Sequence, residues 1–299
     1  MTPRRRLGIA SWALYDWADS SFNTVIGTFV FSVYFARGIY GDETQGAAVW
    51  GYAMAVAGFL IAIGSPLLGA VADRAGPRKP WIAVFMVVCV AATSLLWFAE
   101  PDPAFVALTL VLAVIATTAH NLGQVFYNAM LPDVAPPGQA GTLSGWAWGL
   151  GYAGGLGALA LCLLLLVLPD RPAFGLGTEN AANIRATALV TAAWFLVFAL
   201  PMLLLTPDRP SAALGVRGGM RAGLRQLKGT VAKLRHQRPL FLFLIASAVY
   251  RDGLATLFAV GGLFAAGAFG MDFQEILIFA IGLNVTAASG SWLFAALTD

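Results

Sequence analysis

Charge is the scarcest property of this sequence. Only 11% of its 299 residues are Asp, Glu, Lys or Arg, against about 25% in soluble domains. Hydrophobic residues make up 59%. A soluble core in so short a chain cannot hide that much apolar surface, so lipid must be the solvent for most of it. Histidine is nearly missing, with His120 and His236 alone. Cysteine is as rare: Cys89 and Cys162 lie far apart in apolar runs, which leaves no disulfide framework or metal spacing and reads as two buried thiols. No H-E-x-x-H, G-x-S-x-G or phosphate-binding P-loop occurs, so neither those hydrolases nor an ATP-driven pump is indicated. The net charge of +3 is too small to argue for a nucleic-acid partner.

What is present is a set of long apolar runs. Eight are long enough to cross a bilayer core, which takes about 20 helical residues. They cover about 8–37, 48–72, 80–99, 104–131, 141–168, 187–206, 239–270 and 274–297. Each is continuous rather than alternating, and a spanning segment must satisfy its own backbone, so helices are expected. Arg4, Arg5 and Arg6 resemble the start of a signal peptide, but Asp16 and Asp19 interrupt the apolar run behind them and many spans follow. It reads as a retained first span, in an all-α polytopic membrane protein.

The bases orient the chain. With the N-terminus in the cytosol, cytosolic segments hold Arg4, Arg5, Arg6, Arg74, Arg78, Lys79 and the eight bases from Arg209 to Arg238, fourteen of the 18 Lys and Arg. Outer loops hold Arg37, Arg171 and Arg185, and Arg251 lies within a span. The positive-inside rule therefore puts the N-terminus in the cytosol, and compact loops favour a bacterial inner membrane. The polar stretch 207–238 divides the chain into a six-helix bundle, 1–206, and a two-helix start of a second bundle, 239–299. Within it Arg217, Arg221, Arg225 and Lys228 fall at i, i+4, i+8 and i+11. They predict a basic helix on the inner leaflet, or a linker whose charge only sets topology.

The first span carries the chemistry. Asp16, Asp19, Ser20 and Asn23 recur at i, i+3, i+4 and i+7, one face of a helix. Charged groups at membrane depth face a polar interior and mark ion or solute paths. Asp19 lies ~16 Å in from Gly8 along a helix, near the middle of a ~30 Å core, and Asp16 sits ~4.5 Å closer to the cytosol. The fourth span carries His120, Asn121, Gln124, Tyr127 and Asn128. The four-residue spacing of His120, Gln124 and Asn128 makes a polar stripe, either interhelical hydrogen bonding or a cavity lining. Gly145–Gly149 and Gly151–Gly155 in the fifth span predict close helix packing. In the seventh, Arg251 and Asp252 are adjacent, and Arg251 is expected to meet Asp16 or Asp19. Asp16-x-x-Asp19 also admits a Mg²⁺-dependent intramembrane enzyme of lipid or prenyl substrates, but that chemistry wants a second acidic cluster. No enzyme, cofactor or metal is expected.

Gly69, near the inner end of the second span, is expected to allow a close helix approach. Gly69-Ala-Val-Ala-Asp73-Arg74-Ala-Gly76-Pro-Arg78-Lys79, between spans two and three, resembles the signature loop of the major facilitator superfamily. That resemblance implies a charge network that sets the balance of outward- and inward-open states, carried here by Gly69, Asp73, Arg74, Gly76, Arg78 and Lys79. The stretches WALYDWADSSFN from Trp12, FYNAMLPDVA from Phe126 and GWAWGLGYAGG from Gly145 are similar to the vacuolar amino-acid effluxers related to autophagy and their bacterial relatives. The family implies twelve helices in two six-helix bundles, helices one and four beside a central path, and alternating-access transport of a small solute such as an amino acid. Tyr15-Asp16 has a counterpart in Tyr250-Arg251-Asp252, as repeated halves require. The expectation is a monomer in the bilayer whose partners are a small solute and a coupling proton. A chain of eight spans departs from the family's twelve, so a non-transporting remnant is the competing expectation.

Overall fold

The computed structural model describes residues 2–74, 76–169, 171–210, 238–269, 273–295 and 297, with isolated positions between 221 and 237. Long helices run in order: α1 Pro3–Ile39, α2 Glu43–Arg74, α3 Lys79–Leu95, α4 Val106–Val134, α5 Ala140–Cys162, α6 Ala182–Leu205, α7 Arg238–Phe269 and α8 Phe273–Ala295. Among the described residues six helices, α1 to α6, are long and apolar enough to cross a membrane. The all-α polytopic architecture is therefore observed.

α1 lies at the centre, packed on α5 and α6, while α2 and α3 pack on α4. Lipid tails are as apolar as leucine, so close van der Waals packing rather than apolar burial must hold these helices together. Small residues supply it. A Cβ on Gly154 would run into the Trp17 backbone, one on Gly155 into Thr24 Oγ1, and one on Gly151 into Ser20 Oγ at 2.7 Å. Gly145 and Gly149 instead receive Ala295 and Trp292 of α8, whose indole lies 5.6 Å from that of Trp146. Tyr52, Phe59, Val84, Val87, Val197 and Leu204 face outward, as lipid contact requires.

α1 is not a uniform helix. Pro3–Ser21 is α-helical and Phe22–Phe29 is π-helical. Hydroxyls return to carbonyls across the change, Thr24 Oγ1 to Ser20 O at 2.9 Å and Thr28 Oγ1 to Asn23 O at 3.0 Å. The wider turn begins three residues after Asp19, and such segments are frequent at functional sites.

Two expectations need correction. Arg185 was assigned to an outer loop, but it lies within α6, buried, with its guanidinium over Trp97 at 5.0 Å and on Glu100 at 3.3 Å. Hydrogen bonding and the indole face let the helix extend further than its hydropathy suggests. Gly69 was expected to permit a close helix approach, yet a Cβ there would meet Val125 at an ordinary 3.8 Å.

Candidate functional site

The two polar stretches expected to matter, on the first and fourth spans, meet face to face. Asp19 is 3% exposed and Asp16 is 9% exposed. His120 Nε2 stands 2.6 Å from Asp19 Oδ1, and Gln124 Nε2 donates to Asp19 Oδ2. Gln124 and Tyr127 are also close to Asp16. Both acids come from α1, and the partners of Asp19 come from α4. The register follows from geometry: positions three and four apart share a helix face, on α1 as on α4.

Aromatic rings enclose the cluster. Trp12 and Tyr127 stack at 4.5 Å, Tyr15 and Tyr127 at 4.6 Å, and Phe195 of α6 meets Tyr15 edge-on at 5.8 Å. Tyr127 Oη donates to Trp12 O at 3.1 Å and Trp12 Nε1 to Tyr127 O at 3.4 Å, a reciprocal pair that fixes α1 against α4. His120 lies between Phe22, at 5.1 Å, and Phe195, at 6.3 Å. Neither of its ring nitrogens has a partner of hydrogen-bond geometry among the described residues, although Nε2 lies 2.6 Å from Asp19 Oδ1. The carboxylate thus stands at the Nε2 edge of the ring.

Other expected members sit apart. Ser20 is half-buried against Gly151, but Asn23 is exposed. Asn23 stands at the start of the π-helical segment Phe22–Phe29. Asn121 turns back to Thr117 O at 2.9 Å, and exposed Asn128 reaches Gln124 Oε1 at 3.4 Å. Arg251 and Asp252 are exposed on α7. The expected pairing of Arg251 with Asp16 or Asp19 is therefore corrected: Arg251 is exposed, and α4 supplies the partners of Asp19.

A groove of about 320 Å³ opens at the basic end of the bundle, lined by Arg6, Ile9, Ala10, Ala13, Gln139 and Leu143 among others. It reaches Ala13, one turn or ~4.5 Å short of Asp16 along α1. The acids thus face protein, with an opening close by.

At that same end the α2–α3 turn forms a second cluster. Gly76 has φ +86°, which a side chain would resist. Arg78 is buried, pairs with Asp133 of α4 and donates through Nε to Ala72 O at 3.3 Å. Arg209 pairs with the same Asp133 at 2.8 Å. Asp208 accepts from the backbone N–H groups of Arg78, at 3.0 Å, and Lys79, at 2.9 Å, capping α3 from across the bundle. Lys79 Nζ donates to Thr206 O at 2.6 Å, and Thr206 Oγ1 to Gly8 O at 3.0 Å. The side chains of Asp73 and Arg74 lie outside the described residues, as do Arg217, Arg235 and Asp299. Asp133, Asp208 and Arg209 were missed; a lone acid among bases, as Asp208 is, was the one available signal.

Comparison with known families now has a structure to act on. Residues 4–159 match the family model described as Major Facilitator Superfamily, and residues 137–299 match that described as Vacuole effluxer Atg22 like. The chain belongs to the Atg22-like family of the major facilitator superfamily. Among relatives of this Atg22-like protein, the "Uncharacterized MFS-type transporter YxiO" of Bacillus subtilis (strain 168) is 28% identical over 298 residues. That match covers 97% of this chain and 67% of YxiO. "Autophagy-related protein 22-1" of Aspergillus niger is 28% identical over 159 residues, 50% of this chain and 25% of its own length. The same-named protein of Aspergillus fumigatus is 25% identical over 133 residues, 41% of this chain and 20% of its own. The chain thus spans about two thirds of its bacterial relative and a quarter or less of the fungal ones.

Proposed function

We propose that this protein is a secondary transporter that moves a small solute by alternating access, with Asp16, Asp19, His120, Gln124 and Tyr127 as its proton and solute site. The observation that carries this reading is the buried Asp19–His120 pair on α1 and α4. An ionisable pair at membrane depth is costly and is retained where it works. Family membership and the names of the relatives support transport, and the Atg22-like match supports an amino acid or a similar amine as the solute. The groove at the basic end gives the solute an approach to Asp16. Residues 1–206 form the working bundle, 207–238 the basic linker and 239–299 the start of its partner. The N-terminus faces the cytosol across a bacterial inner membrane, and the unit is a monomer.

In this reading the Arg78–Asp133–Arg209 network, with Asp208 on the α3 N-terminus, is the latch whose release accompanies opening at the basic end. The Mg²⁺-enzyme alternative is less favoured, because His120 and Gln124 occupy both oxygens of Asp19. The test is uptake of labelled amino acids and amines by the purified chain in vesicles under an imposed proton gradient. Wild type accumulates a solute, and Asp19→Asn falls to the level of empty vesicles. Undiminished pH-dependent uptake by Asp19→Asn would refute the assignment.

A further inference from the structure

We propose that the polar stretch between α6 and α7 carries a binding site for the headgroup of an anionic phospholipid, formed by Arg221, Arg225 and Lys228 on a helix docked against α2. Among the described positions of this stretch, 221, 223, 225, 228 and 229 are helical. Arg221, Arg225 and Lys228 fall at i, i+4 and i+7, one face of such a helix, and all three are exposed. Gly223, two residues on from Arg221, lies on the opposite face and is buried. A Cβ there would meet Ala70 O at 2.3 Å. The missing side chain lets this helix approach the backbone of α2, and the contact turns the three bases away from the bundle.

What they are turned toward follows from α2. Val56, Leu60, Ile63 and Leu67 recur at i, i+4, i+7 and i+11 and are all exposed. Apolar side chains exposed on a membrane-spanning helix face lipid tails. Ala70, at i+14, continues the same stripe ~4.5 Å beyond Leu67 toward the end of α2 at Arg74. The docked helix therefore sits where the lipid-facing side of α2 runs out, at the depth of the phospholipid headgroups. Charge selects among those headgroups. Residues 207–238 hold eight bases and one acid, Asp208. That acid is taken up by the N–H groups of Arg78 and Lys79, and Arg209 by Asp133. Arg221, Arg225 and Lys228 make no ion pair among the described residues. Each base held at an anionic membrane surface strengthens binding about fivefold, and a guanidinium fork matches a phosphate. Setting topology requires only bases on one side of the membrane. It requires neither a common face nor a glycine seated on Ala70.

The test uses the full chain in phosphatidylcholine vesicles doped with spin-labelled phosphatidylglycerol or spin-labelled phosphatidylcholine. The fraction of label immobilised by the protein gives its preference for the anionic lipid. Wild type prefers phosphatidylglycerol. The triple variant Arg221→Gln, Arg225→Gln, Lys228→Gln keeps the Gly223 contact and should lose that preference at least fivefold. Gly223→Leu keeps every charge but cannot seat on Ala70, and it should lose the preference as well. Soluble glycerol phosphate, compared with sodium chloride at matched ionic strength, should displace no label. A triple variant with the wild-type preference overturns the site. A Gly223→Leu variant with the wild-type preference overturns the docked helix as its frame. Displacement of the label by glycerol phosphate overturns the assignment to a lipid.

Discussion

Both oxygens of Asp19 face α4, one beside His120 Nε2 and the other accepting from Gln124. Single-atom changes here have separable consequences. Tyr127→Phe keeps the ring stack with Trp12 and Tyr15 but removes the hydroxyl that donates to Trp12 O. It should lose about 1 kcal/mol of stability. Tyr127→Leu also removes the stack and should lose about 0.5–1.5 kcal/mol more. Thermal unfolding in detergent compares both with wild type: a Tyr127→Phe midpoint equal to wild type would contradict the hydroxyl's hydrogen bond, and equal midpoints for the two variants would contradict the stack. At this scale the sequence was half legible. Acids in an apolar run announce themselves, because charge there is costly wherever the helix packs. Their partners do not: Gln124 lies 105 positions from Asp19, and which helices meet is decided by packing.

Among the elements, α5 presses glycines against the backbone of α1. Gly154→Ala drives a Cβ into Trp17 and should destabilise by about 1–3 kcal/mol. Gly51→Ala on α2 meets nothing within 4 Å and should stay within about 0.5 kcal/mol of wild type. The small-residue spacing was legible, but that Gly151 and Gly155 serve α1 while Gly145 and Gly149 serve α8 was not. The α3 N-terminus makes a second case. Asp208→Ala leaves the N–H groups of Arg78 and Lys79 without their carboxylate and should lose about 1–2 kcal/mol. Hydrogen exchange should quicken in the first turn of α3, and unchanged protection there would remove Asp208 from the latch. The π-helical segment of α1 left no signal in the residue spacing, since spacing rules assume one helix type throughout.

Across the whole molecule, six of the eight expected spans, α1 to α6, appear among the described residues where the apolar runs lie, because length and hydropathy are local properties. Arg185 shows the limit of that reading, because a buried partner and an indole face carried α6 past its apolar stretch. Orientation is tested with cysteines placed at exposed positions of a chain lacking Cys89 and Cys162. Thr44→Cys, in the first turn of α2, should react with a membrane-impermeant maleimide on intact cells. Pro137→Cys, between α4 and α5, should react only after the membrane is opened. The reverse pattern would invert the bundle and detach the basic end from the cytosol.

The most direct measurement is nitrogen NMR of the protein labelled in histidine. With two histidines in the chain, His236→Gln leaves His120 as the one imidazole. We expect a His120 signal that responds to pH, that moves in Asp19→Asn, whose carboxylate lies 2.6 Å from Nε2, and that moves again when solute is added. An imidazole that ignores pH, Asp19→Asn and solute alike would contradict the account.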